Sequence, residues 1–128
     1  MKKLTIAIIT VFTILVSCKK DSDDKPTGSS RTLRYEVTGN YTGKFIAAYH
    51  TTSGGLTNEE VTSLPWSKEI TYQSNVAAAS IGVGGAGGVA GQKVTLVIKR
   101  GGIQEGAPIE QTVNSQGAFS IQGQVIVF

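Results

Sequence analysis

Among the 128 residues there is one cysteine, one histidine and one tryptophan, and charged residues make up only 16%. A lone cysteine rules out an internal disulfide. A lone histidine leaves little from which to assemble a transition-metal site or a nucleophile with its oriented base. The formal charge of +3 looks basic, but Lys2 and Lys3 sit at the extreme N-terminus, and without them 10 basic residues face 9 acidic ones. With no basic stripe left, nucleic-acid binding loses its electrostatic footing. The longest apolar run, Leu4 to Val16, is 13 residues, well short of the roughly 20 that a spanning helix needs. No stretch repeats its apolar residues at helical spacing for a useful length. Glycine, valine, isoleucine and threonine are plentiful instead, a composition of strands and turns.

That apolar run follows Met1-Lys2-Lys3 and is closed by Lys19-Lys20-Asp21, so it has the length and flanks of an export signal. It ends Leu15-Val16-Ser17-Cys18, which resembles the lipobox of bacterial lipoproteins. The resemblance implies cleavage before Cys18, leaving residues 1–17 as signal peptide, and acylation of the cysteine through a diacylglyceryl thioether and its new amine. Each methylene buried in a bilayer contributes ~0.8 kcal/mol, so two or three chains anchor a small domain where one would not. Residues 18–31 are rich in Asp, Lys, Ser, Pro and Gly and read as a flexible tether. Asp21, Asp23 and Asp24 loosely echo the start of a calcium loop, but no glycine turn and distal glutamate follow, and solvation accounts for them better. The acidic cluster resembles the surface-export signal of Bacteroidota lipoproteins. Lys19, where an aspartate would hold a lipoprotein back, resembles those passed to the outer membrane. The expected place is the cell envelope, with the outer membrane favoured and the cell surface as an extension.

Residues 32–128 remain for folding, enough for one modest core. Leu33, Tyr35 and Val37 alternate with Arg34, Glu36 and Thr38, and Phe45, Ala47 and Tyr49 form a second run of period two. Ile70 and Tyr72 follow, then Val94, Leu96 and Ile98, ended by Gly101-Gly102. From Phe119 to Phe128 the same period places Phe119, Ile121, Val125 and Val127 on one side. Short strands punctuated by glycine predict an all-β domain, a small antiparallel sandwich of immunoglobulin-like type.

Candidate chemistry is sparse. Gly82-Val-Gly84-Gly-Ala-Gly87 fits the dinucleotide fingerprint, yet it leads into another strand rather than a helix, so it reads as a flexible loop between strands. His50 falls on the outward face of its strand with no neighbouring acid, and a small hydrolase is the least favoured class. Glu59 and Glu60 are adjacent, so a strand would turn them to opposite faces, and Asn40-Tyr41-Thr42 is a glycosylation sequon only by accident. No catalytic residue, metal or cofactor is expected. Leu64-Pro65-Trp66-Ser67 stands out: proline suits a strand entrance, and Trp66 reads as a core anchor before it reads as an exposed ligand-binding aromatic.

The chain also resembles the MmpS family, small membrane proteins of mycobacteria. The matching pieces are Tyr35-Glu-Val-Thr-Gly39, Tyr49 with Gly54-Gly55, and Val61 to Ser67 with Leu64, Pro65 and Trp66 intact; weaker agreement runs on through Val94 to Ile98 and Gly117 to Phe119. The resemblance implies a seven-strand-like sandwich outside the cytoplasmic membrane, acting as accessory to an exporter of lipids or siderophores. Two departures stand against a full transfer. MmpS proteins are anchored by a transmembrane helix rather than a lipobox, and they commonly carry a cysteine pair that this chain lacks. The expected function is therefore a lipid-anchored, non-catalytic envelope protein, partnered by the membrane and by an envelope transporter or another envelope protein. The alternative is a surface module that binds a glycan or another ligand.

Overall fold

The computed structural model describes residues 30–128. Cys18, the expected signal peptide and the aspartates of the expected tether lie outside the described residues. Eleven strands, and among the described residues no helix, make up the domain: β1 (Thr32–Gly39), β2 (Lys44–His50), β3 (Leu56–Val61), β4 (Trp66–Thr71), β5 (Ala78–Ala79), β6 (Ile81–Ala86), β7 (Lys93–Arg100), β8 (Ile103–Gln104), β9 (Ile109–Thr112), β10 (Phe119–Gln122) and β11 (Ile126–Val127). All pairings are antiparallel. The first sheet runs β4-β1-β7, with β8 and β9 taking successive parts of the far side of β7; the second runs β10-β6-β2-β3. The expected all-β antiparallel sandwich is what forms.

Period two explains the layering. Leu33, Tyr35 and Val37 of β1, Phe45, Ala47 and Tyr49 of β2, and Val94, Leu96 and Ile98 of β7 are all buried. Their alternates turn outward, polar in β1 but apolar at Ile46 and Ala48 of β2. Tyr35 meets Tyr49 across the two sheets, ring centroids 6.4 Å apart. Burying each of the larger side chains contributes about 1.5–3 kcal/mol, so this inner layer is the chief stabilising term. The β7–β8 hairpin closes in two residues, Gly101 and Gly102, both at positive φ (55° and 86°). That backbone follows the twist of the flanking strands and suits glycine.

Two sequence expectations are overturned here. Gly82, Gly84 and Gly85 are not a flexible loop: they lie inside β6, an inner strand of the second sheet. Gly85 pairs with Phe45 on one side and Phe119 on the other, whose rings close over it edge to face at 5.9 Å. The adjacent strand, at the Lys44 carbonyl and Phe45, fills the place a side chain would take. The second correction concerns Val125 and Val127, which are 62% and 68% exposed while Ile126 is buried. β10 keeps one register against β6 as far as Gly123, whose N–H donates to Ile81 O. β11 pairs with β5 one residue out of step, so Gln124 and Val125 together oppose Ser80. This β-bulge inverts the alternation and turns both valines outward.

Candidate functional site

β3 and β4 are unpaired edges of opposite sheets, and they flank the same open margin of the sandwich. Glu59 shares its face of the second sheet with Ala47, so its carboxylate points inward at that margin, whereas Glu60, beside Ile46, points out and pairs with Lys44 at 3.4 Å. The expected opposition of the two glutamates holds. Glu59 accepts the Tyr49 hydroxyl at 2.8 Å and the Trp66 indole N–H at 3.5 Å, and Lys68 stands 3.7 Å away. The Tyr49 hydroxyl chiefly, helped by Trp66 and Lys68, holds the carboxyl below its ordinary range. Burial and the same carboxylate push the Tyr49 phenol up. An inward-pointing charge on an edge strand also discourages further strands from adding there.

Glu59→Gln is expected to flatten the acid limb of stability. With its folded pKa depressed, Glu59 contributes stability above the ordinary glutamate value that is lost as pH falls through the folded value. Urea titrations of wild type and variant should converge below that range and diverge near neutrality. Parallel pH dependence in the two proteins would contradict the assignment.

The segments singled out in sequence do meet. Val37 pairs with Trp66 across β1 and β4, and Trp66 packs on Tyr49 at 6.2 Å, which in turn packs on Tyr35. Trp66 is only partly buried; it leans on the core from the margin rather than anchoring its centre. Pro65 stands just before β4, and Leu64 packs against the core. Gly39 ends β1 at φ +136°, where a Cβ would run into the Lys93 carbonyl. Asn40 spends its side chain on the Lys93 N–H at 2.8 Å. His50 Nδ1 accepts the Ser80 backbone N–H at 3.1 Å, tying β2 to the start of β6. The Tyr35 hydroxyl donates to Tyr72 at 3.0 Å, and Tyr72 to the His50 carbonyl at 2.9 Å, a buried relay that satisfies both phenols.

Two shallow hollows flank β4. One, of about 230 Å³, is lined by Arg34, Glu36, Thr38, Pro65, Trp66 and Ser67 on the outer face of the first sheet. Glu36 there pairs with Arg34 at 2.8 Å and Lys99 at 3.2 Å, and the Arg34 hydrogen bond first, then Lys99, hold it well ionised. The other, of about 190 Å³, is lined by Tyr49, Thr51, Thr52, Thr57, Lys68 and Ile70. Both fall below the roughly 300–1,000 Å³ typical of small-molecule sites. Glu36 in the first is tuned to stay charged, which suits polar recognition more than proton transfer. Among the described residues no three His, Cys, Asp or Glu side chains are grouped to hold a metal.

At the end of the sandwich where β1 begins, the structure assembles something the sequence reading missed. Arg100 is buried at the end of β7; its Nε donates to Ser30 O at 2.7 Å and its Nη1 to Val127 O at 3.2 Å. Phe128 lies under two guanidiniums, Arg31 at 4.5 Å and Arg100 at 5.2 Å from the ring centre. Arg31 also donates to the carbonyls of Tyr72, Gln73 and Val76. A signal for this was present: Arg100 occupies the apolar phase of Val94, Leu96 and Ile98, where a charge needs buried partners.

The class these features define is a small antiparallel β-sandwich with one charged, aromatic-lined margin and its described N-terminus clasped to its last strand. No family model, curated protein or solved structure matches the chain.

Proposed function

We propose that this is a lipid-anchored, non-catalytic envelope protein that works by binding, an MmpS-like accessory subunit for export across the envelope. What favours the reading is a single convergence: Tyr35, Tyr49 and Trp66, from separate pieces of the quoted resemblance, form one contiguous aromatic contact. An immunoglobulin-like form of the sandwich belongs to the same reading, as does residence at the outer membrane. The leader and Cys18 supply the anchor, and the clasp of Arg100 on Ser30 sets the end from which the domain hangs.

The anchor is tested in the native host by mass spectrometry and fractionation. The expected product begins at Cys18, carries acyl mass and sediments with envelope, while Cys18→Ala loses both acyl mass and sedimentation. An unprocessed, unacylated chain that still sediments would overturn it. The accessory role is tested by pull-down from detergent-solubilised envelope: a transporter should co-purify, and no envelope protein across replicates would refute it. The glycan-binding alternative draws on the hollow where Arg34, Glu36 and Ser67 surround Trp66. Protease sensitivity on intact cells together with glycan-array binding would favour it over a shielded exporter subunit.

A further inference from the structure

The two outer faces of the sandwich differ in kind. That of the first sheet carries the ion pairs of Glu36 with Arg34 and Lys99. That of the second carries the Lys44–Glu60 pair toward the far end and is nearly bare at its centre, where Gly82 and Gly84 of β6 lie beside Ala48 and Ile46 of β2. Toward the end where β1 begins, three aliphatic side chains stand exposed. Leu56, paired with His50, is 74% exposed, and the bulge turns out Val125 and Val127. Leu56 sits on β3, the edge of the second sheet, and Val125 and Val127 flank Ile126 at the separate β5–β11 pair at the same end.

The chain enters at this same end. One guanidinium, that of Arg100, binds both Ser30 O and Val127 O, so the first described residue and the exposed valine's backbone are neighbours. Ser30 follows Cys18 by twelve residues, a reach of at most roughly 43 Å fully extended. Within that leash, aliphatic side chains beside the attachment point lose water contact if they settle into the lipid interface. Exposed aliphatics from two sheets around one end fit a planar surface better than a protein partner, which needs a compact desolvated centre.

We infer that Leu56, Val125 and Val127 rest on the bilayer surface that holds the anchor, giving the domain one orientation. The inference rests on the anchored reading of Cys18. With Cys18 acylated the chain has no other thiol, so single cysteines can carry a fluorophore. Full-length lipidated protein, labelled at Leu56→Cys, Val127→Cys or, at the far end, Val89→Cys, is reconstituted in phosphatidylethanolamine–phosphatidylglycerol vesicles containing nitroxide lipid. Quenching is expected to be severalfold greater at positions 56 and 127 than at 89. In the 127-labelled protein it should fall to the level at 89 when Leu56→Asp and Val125→Asp are added. All four positions are exposed, so folding is not at stake. Equal quenching at all three sites, with the protein floating on the vesicles, overturns the docking alone. Protection from nitroxide with self-quenching between labels means a second copy covers the face, and also overturns it. Protein that fails to float removes the anchor and the docking together.

Discussion

Gly85→Ala should lower the melting temperature by roughly 12–24 °C, the effect of about 3 kcal/mol in a domain of this size. Gly82→Ala, three residues away in the same strand, should leave it unchanged or raise it slightly. The contrast follows from what a methyl group meets. At Gly85 a Cβ would run into the Lys44 carbonyl and come within 2.8 Å of Phe45 Cβ and 2.9 Å of Phe45 Cα. Two of those three atoms are backbone of the neighbouring strand, so relief requires β2 to move, and overpacking of that kind costs about 1–3 kcal/mol, here at the upper end. At Gly82 the first atom met is the end of the Gln122 side chain at 3.1 Å, which can rotate away. Neither glycine has positive φ, so alanine suits both backbones and the usual gain of roughly 0.5–1 kcal/mol over glycine in a strand is available at Gly82. Thermal melts by circular dichroism at one protein concentration decide it. Equal shifts for the two variants would mean that the close approach of β2 at Lys44 and Phe45 is not what requires glycine there.

Most of the sandwich was legible because its strands obey one rule. In Leu33 to Val37 and Val94 to Ile98, the face assigned from sequence is the face buried. β6 escaped because its inward positions, Ile81, Val83 and Gly85, end in a glycine, and local propensity there argues for a loop. Only Phe45 and Phe119, distant in sequence, make a strand of it. The last ten residues escaped for a different reason. Their apolar residues keep period two, but the bulge opposite Ser80 adds a residue, and nothing local to Val125 announces a change of register. The candidate site was half visible. Trp66 and Tyr49 drew attention by type, whereas Glu59 and Lys68 were ordinary surface charges until two edge strands from different sheets brought them together.

Tyr35→Ala should cost about 3–5 kcal/mol, against a total stability of roughly 5–15 kcal/mol for a domain of this kind. Tyr35→Phe should cost only about 1 kcal/mol. Tyr35 is fully buried between the sheets, so truncation empties the space on which Tyr49, and through it Trp66, packs. Removing only the hydroxyl keeps that packing, and Tyr72 still donates to the His50 carbonyl. The two variants should separate again with pH. Burial first, and then donation to Tyr72, push the Tyr35 phenol far above the ordinary tyrosine value of 10.0. A raised folded pKa means the stabilisation is complete below the unfolded value and is lost as pH rises past about 10 toward the folded one. Each such proton contributes about 1.4 kcal/mol of instability per pH unit in that window. Wild type should therefore lose stability more steeply than Tyr35→Phe above pH 10, although it is the more stable of the two at neutrality. Urea midpoints measured from pH 7 to 11.5 would show the curves approaching each other. If they stay parallel, the buried phenol is not held in its protonated form by the fold, and the relay from Tyr35 through Tyr72 to His50 is not the contact it is taken to be.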